Sequence, residues 1–117
     1  MTTDKAEEKP AAAQGISIAD NPAQGRIEIT VDGVLAGFTT YRDGPHQRAF
    51  DHTEIAEMFG GMGLASKLIK YALDDSRAAG RKVLPFCPFV RGYIEKHPEY
   101  LDLVLDPARF GLGEAGQ

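Results

Sequence analysis

Cysteine is nearly missing from this 117-residue chain: Cys87 stands alone. One thiol excludes an internal disulfide and is too few for a cysteine-based zinc site, so Cys87 is either a packed core group or a reactive one. An excess of positive charge is missing as well. Thirteen Lys and Arg face seventeen Asp and Glu, for a formal net charge of −4, and such a chain lacks the overall positive field that holds nucleic acid or anionic lipid. No stretch reaches the roughly 20 consecutive apolar residues of a membrane helix, and the first fourteen residues carry no apolar segment of the kind a secretion signal needs. No nucleic-acid or membrane partner is therefore expected, and the expected compartment is the cytoplasm. His46, His52 and His97 share no ligand spacing on a common element, so no metal site is expected.

What is there belongs to a folded chain, with 43% hydrophobic and 26% charged residues in a length that suits one domain. Residues 1–14 have no apolar periodicity and read as a disordered tail. The glycine-rich 109–117 reads as a flexible tail with nothing to bury, which leaves 15–108 as the domain. Ile27, Ile29 and Val31 alternate with Glu28 and Thr30, and Asp32-Gly33 then supplies a two-residue turn. Pairing Val31 with Val34 sets Ile29 opposite Ala36 and Ile27 opposite Phe38. Ile16-Ser17-Ile18 reads as a short strand before this hairpin, and Arg48 to Ile55 as another after it. The period then changes, because Leu64, Ala65, Leu68, Ile69, Ala72 and Leu73 recur at helical spacing up to a closing Gly80. Lys82 to Phe86 makes a short strand, Pro88 opens a second helix, and 98–104 is one more helical turn or a final strand. Antiparallel strands followed by helix, strand and helix on a mixed sheet define an α+β domain. An uncovered sheet edge near the hairpin fits either a monomer or a homodimer.

Three places carry chemistry. Gly60-Gly61-Met62-Gly63 precedes the first helix with no Ser, Thr, Asp or Asn to cap it, so free amides and the helix dipole favour a phosphate there. The plain alternative is a tight turn whose amides water satisfies. Asp51-His52-Thr53-Glu54 is unusually polar for a strand, and alternation puts His52 and Glu54 on one face, where they can position a water or take a proton from an amine. The plain alternative is a solvated strand face. Cys87 falls at the start of the second helix, where a thiolate is favoured but where a packed thiol also fits. Tyr93, six positions on, either donates a proton or packs its ring.

Gly60-Gly61-Met62-Gly63-Leu64-Ala65 resembles the coenzyme A pyrophosphate loop of the GNAT superfamily of N-acetyltransferases, with Gly63 and Ala65 matching. Gly60 stands where that family usually has Arg or Gln. His52-Thr53-Glu54, Cys87-Pro88-Phe89-Val90, Tyr93-Ile94 and His97-Pro98-Glu99-Tyr100 resemble a small, stand-alone branch that lacks the usual N-terminal helices, over about residues 16–104. The resemblance implies transfer of an acetyl group from acetyl-coenzyme A to an amine of a small molecule or a protein. It implies that the strand edge from Thr53 to Glu57, with Ile55 and Glu57 as contacts, carries the acyl-pantetheine arm. Gly60, Gly61, Met62, Gly63, Leu64, Ala65 and Ser66 would hold the diphosphate. It further implies Glu54 or His52 as base, Tyr93 as acid toward the departing thiolate, and Cys87 beside the thioester. There Cys87 is a possible acetyl carrier, though direct transfer is the preferred reading. The alternative function is a non-catalytic coenzyme A-binding or protein-interaction domain.

Overall fold

The computed structural model describes residues 15–113; the tail expected at 1–14 and the end of the tail expected at 109–117 lie outside them. Five strands run β1 (Ile16–Asn21), β2 (Arg26–Val31), β3 (Val34–Asp43), β4 (Gln47–Ile55) and β5 (Lys82–Pro85). Helix α1 (Leu64–Ala78) joins β4 to β5, and α2 (Pro88–Lys96) follows β5. Strand order in the single sheet equals chain order. The first three pairings are antiparallel and β4–β5 is parallel, as a helical crossover between the two requires. The α+β class and the order of elements agree with the sequence reading.

The hairpin turn forms as its residues dictate, with positive φ at both Asp32 and Gly33. Its register departs from the simple alternation. Val31 does pair with Val34, but a bulge between Ile29 and Thr30 sets Ile29 opposite Gly37 and Ile27 opposite Thr39, not Ala36 and Phe38. One extra residue in β3 swaps every later side chain to the other face. Thr39 thereby enters the core and Phe38 leaves it. Gly37 is required here for space: a Cβ would collide with the Glu54 carbonyl oxygen and the Ile55 side chain, so the missing side chain lets the end of β4 lie close against β3.

Helix α1 buries Leu64, Leu68, Ile69, Ala72 and Leu73, a stripe at 3.6-residue spacing. They pack with Ile27, Ile29, Phe50 and Val83 of the sheet and with Val90 and Ile94 of α2 in one core, each large aliphatic contributing about 2 kcal/mol on burial. Both helices thus lie on one face of the sheet. Gly80 (φ 72°) ends α1, and Arg81 N–H donates to the Ser76 carbonyl at 3.0 Å, closing it with a Schellman motif. Residues Pro98–Leu103 form a 3-10 helix, after which Val104 bridges Val83 in parallel; both readings of that segment are partly realised. Residues 109–113, expected to be part of a flexible tail, are ordered against the domain. Pro107–Phe110 is a further 3-10 turn, Phe110 packs against the core, and Leu112 is buried in it between two glycines, Gly111 and Gly113, at positive φ.

Candidate functional site

β4 is longer than its parallel partner. Only Gln47–Phe50 pairs with Lys82–Pro85, and the last link is the Cys87 N–H donating to the Phe50 carbonyl at 2.9 Å. Beyond it, the chain after β5 turns into α2 with Pro88 in its first turn, a position where a missing N–H costs nothing. Residues Asp51–Ile55 continue alone against β3. The two parallel strands therefore part, and a wedge opens between the second half of β4 and the start of α2.

The helix side of this wedge is polar. Thr53 Oγ1 lies 2.9 Å from Thr39 Oγ1 and 3.3 Å from the Cys87 Sγ, with Thr39 fully buried and Cys87 3% exposed. This bond to Thr53 is the only hydrogen bond of the sulfur among the described residues. Cys87 occupies the N-cap position of α2, but its side chain does not cap the helix. Sequence reading missed Thr39, because the bulge that turns it inward leaves no mark in the alternation, and it placed Thr53 only at the start of the strand edge offered to the acyl-pantetheine arm, not in contact with Cys87.

At the mouth of the wedge lies the glycine turn. A 3-10 turn, Glu57–Phe59, ends at Gly60; Gly61 and Gly63 then take φ of 84° and 72°, the left-handed region that disfavours other residues. No side chain caps α1, whose N-cap is Gly63, so its first-turn N–H groups and the positive end of its dipole face outward. Ile55, Phe59, Gly60, Gly61, Gly63, Leu64, Ala65, Ser66 and Phe89 line a cleft of about 340 Å³ there. Seven of these were expected at a cofactor site; Phe59 and Phe89 are additions. Glu57 and Met62 do not line it. β4 stops at Ile55, so no strand edge reaches Glu57, and Met62 packs on the core.

His52 and Glu54 do share a face, and His52 Nε2 lies 2.9 Å from Glu54 Oε1 with both side chains more than half exposed. That face is the one turned away from the helices. Phe38 lies beside them, its ring 6.3 Å from that of His52, and Arg26 lies over Phe38 at 4.3 Å. Cys87 and the His52–Glu54 pair thus sit on opposite sides of the sheet, at the level where it splits. Tyr93 joins neither group. Its ring stacks on His97 at 4.1 Å in a separate groove with Ser66, Phe89 and Gly92. Burial, with Asp74 and Glu99 nearby, pushes its phenol pKa up against the pull of Lys70, so it stays protonated at neutral pH.

The site is thus framed by a mixed sheet that splits between parallel strands and by a glycine-rich helix start at the split. The comparisons give it a family. The family model described as GCN5-related N-acetyl-transferase matches residues 26–103, and the chain belongs to that family. Among solved structures, the chain is similar to the NMR solution structure of a GCN5-like protein from Staphylococcus aureus, with a TM-score of 0.60 and 26% identity over 76% of this chain and 87% of that one. No curated protein matches. Among the described residues, no helix is long and apolar enough to cross a membrane, and no group of His, Cys, Asp and Glu is arranged to hold a metal ion.

Proposed function

We propose that this protein is an N-acetyltransferase that moves an acetyl group from acetyl-coenzyme A to an amine. One observation carries the reading: an uncapped helix start, rich in outward amides, lies at the mouth of the wedge between β4 and α2. Amides and dipole there suit a diphosphate, and the exposed backbone edge of Asp51–Ile55 suits the amide-bearing arm that follows it. Gly60, Gly61, Gly63, Leu64, Ala65 and Ser66 would hold the diphosphate, and Ile55 the arm. When bound, acetyl-coenzyme A supplies an activated acyl group.

The amine would arrive from the open face, where Glu54 and His52 are exposed and hydrogen-bonded. Glu54 takes a proton from the ammonium group, with His52 orienting it, so that the nitrogen lone pair is free for attack. Inside the wedge, Thr53 and Cys87 are the nearby hydrogen donors for the departing sulfur. Direct transfer is favoured over an acetyl-cysteine: the Cys87 sulfur has a hydroxyl as its only hydrogen-bond partner among the described residues, and a nucleophilic thiol calls for a base. Gly60 in place of Arg or Gln leaves the diphosphate held by backbone alone, and non-catalytic binding of coenzyme A is the second reading that this residue favours.

Titration of labelled protein with acetyl-coenzyme A, followed amide by amide, tests the proposal. Saturable shifts at residues 60–66 and at Cys87 are expected, and no shift at millimolar ligand overturns it. A panel of amines then separates the two readings. In the enzyme, Glu54→Gln lowers turnover by about 10²-fold with acetyl-coenzyme A affinity unchanged; binding without any transfer identifies the binding module.

A further inference from the structure

Two arginines on the sheet face turned away from the helices, Arg26 and Arg42, are spent differently. Arg42 closes on Asp51 at two points, through Nε and Nη2, each at 2.9 Å. Arg26 donates its Nε to Glu28 at 2.8 Å, and its two Nη groups have no hydrogen-bond partner among the described residues. Its position is fixed all the same. Glu28, which also accepts a bond from Asn21 at 3.1 Å, backs it on one side, and the Phe38 ring supports it at 4.3 Å. Bonds from Arg26 and Asn21 keep Glu28 below the usual carboxylate range, so this backing charge persists at neutral pH. Phe38 in turn pairs directly with Glu54 across β3 and β4, and its ring lies 6.3 Å from that of His52. Neighbouring strands are about 4.8 Å apart, so a guanidinium resting on Phe38 stands about one strand spacing from the strand that bears the His52–Glu54 pair.

We infer that the amine acceptor carries a carboxylate, which the free edge of Arg26 receives while Glu54 receives the ammonium group. The inference rests on the acetyl-transfer reading above and narrows it to short molecules that hold an amine and a carboxylate on one chain. Charge supports it. Asp51 is matched by Arg42 and Glu28 by the Nε edge of Arg26, which leaves Glu54, bonded to His52, and the Nη edge of Arg26 as the complement of a zwitterion. Geometry supports it too, because a planar guanidinium edge meets a carboxylate at two points, and one already held by an ion pair and a ring loses little freedom on binding. In the reaction the ammonium group gives one proton to Glu54. Its nitrogen then bonds the thioester carbonyl carbon, the carbon–sulfur bond breaks, and the second proton leaves on the departing sulfur, so that the products are an N-acetylated acid and a thiol.

Steady-state kinetics of the full chain with acetyl-coenzyme A and 4-aminobutyrate, butylamine or propane-1,3-diamine tests it. Each acceptor is an amine on three methylenes, and they differ in ending with a carboxylate, a methyl or an ammonium group. With the unaltered protein, KM for 4-aminobutyrate is expected about tenfold below that for butylamine at similar kcat, with the diamine poorest of the three. Arg26→Gln should erase this preference by raising KM for 4-aminobutyrate to the value for butylamine, and Arg26→Lys, which keeps the charge and loses the fork, should restore part of it. Equal KM for 4-aminobutyrate and butylamine in the unaltered protein, or a preference for the diamine, overturns the assignment. So does an equal loss on all three acceptors in Arg26→Gln, the result that a purely structural arginine gives. Transfer to none of the three by a protein that binds coenzyme A overturns it as well and leaves the cofactor site standing. If coenzyme A does not bind, the acetyl-transfer reading itself falls, and the acceptor assignment with it.

Discussion

The two halves of β4 are built for different ends. Residues Gln47–Phe50 have a strand on either side, and their side chains are structural. Phe50 is fully buried. Arg48, 5% exposed, donates from Nε to Asp43 at 2.7 Å and from Nη1 to Asp75 of α1 at 3.1 Å, with its guanidinium 4.3 Å over the Tyr41 ring. Residues Asp51–Ile55 have a neighbour on one side only, and there the strand carries a hydroxyl relay inward and an exposed imidazole–carboxylate pair outward. Where the sheet is closed the sequence holds it together; where it opens, polar groups occupy positions that packing does not demand. The contrast separates residues that serve stability from those that serve chemistry, and substitutions on either side should divide the same way.

Phe50→Ala should have the largest effect on stability, roughly 3–5 kcal/mol, since the side chain is fully buried in the core shared by the sheet and both helices. Denaturant unfolding measures it. Arg48→Met comes next. Burial opposes the charge of Arg48, yet hydrogen bonds with Asp43 and Asp75 hold its pKa above the usual arginine value. Removing it strips Asp75 of its hydrogen-bond partner and leaves Asp43 only the ion pair with Arg81 at 3.7 Å; water still reaches both carboxylates, so the loss should be about 2 kcal/mol, below that for a fully buried pair. The same clamp sets a pH dependence. The hydrogen bond from Arg48 holds the Asp43 carboxyl below the usual range, against the opposing effect of its own burial. The folded state therefore binds that proton less readily than the unfolded one. Its contribution is complete above the ordinary aspartate value of about 4 and is lost as pH falls through the lower folded value. Melting temperature between roughly pH 6 and pH 2 should fall less in Asp43→Asn than in the unaltered protein.

Thr53→Val tests the opposite half. It leaves the Thr39 hydroxyl fully buried without its partner, a cost of about 1–2 kcal/mol. The double variant Thr39→Val/Thr53→Val should recover most of that, because two methyl groups replace two hydroxyls without stranding either. If the relay serves chemistry, the double variant folds near its original stability and still transfers acetyl slowly. Normal transfer by this variant would make the relay a packing feature and weaken the contrast between the halves.

The outline of this division was legible beforehand. Alternation fixed the shared face of His52 and Glu54, and an uncapped helix after three glycines pointed to the α1 start, because both are local signals. The wedge was legible only through the family resemblance. The Thr39–Thr53–Cys87 relay was not legible at all: it joins three segments, and the bulge at Ile29 that turns Thr39 inward has no signature in the alternation of β2 and β3. Tyr93 shows the same limit from the other side. Its helical position and its i,i+4 neighbour His97 could be read, but its place in a groove apart from Cys87 and from the His52–Glu54 pair could not. Spacing on one element carries over to structure, whereas proximity between elements is set by register and packing.

Gly60→Arg should have the smallest effect and sharpens the comparison most directly, because Gly60 follows the open half of β4 and lies outside the packed core. Its φ of −66° and ψ of 153° are open to any residue, and its added Cβ would lie 3.3 Å from the Glu57 carbonyl oxygen, a contact that a shift of a few tenths of an ångström relieves. Stability should therefore change by less than about 0.5 kcal/mol. At the diphosphate, however, a guanidinium adds a charge-assisted bond to a site otherwise formed by backbone amides, and coenzyme A should bind about three- to fivefold more tightly at low salt. That gain should shrink toward nothing at about 1 M salt, as an exposed ion pair does. A gain in affinity without a gain in stability would place Gly60 with the functional half of the molecule. No gain at any ionic strength would mean that the loop does not face the diphosphate, and the chemistry assigned to the open half of β4 would need another origin.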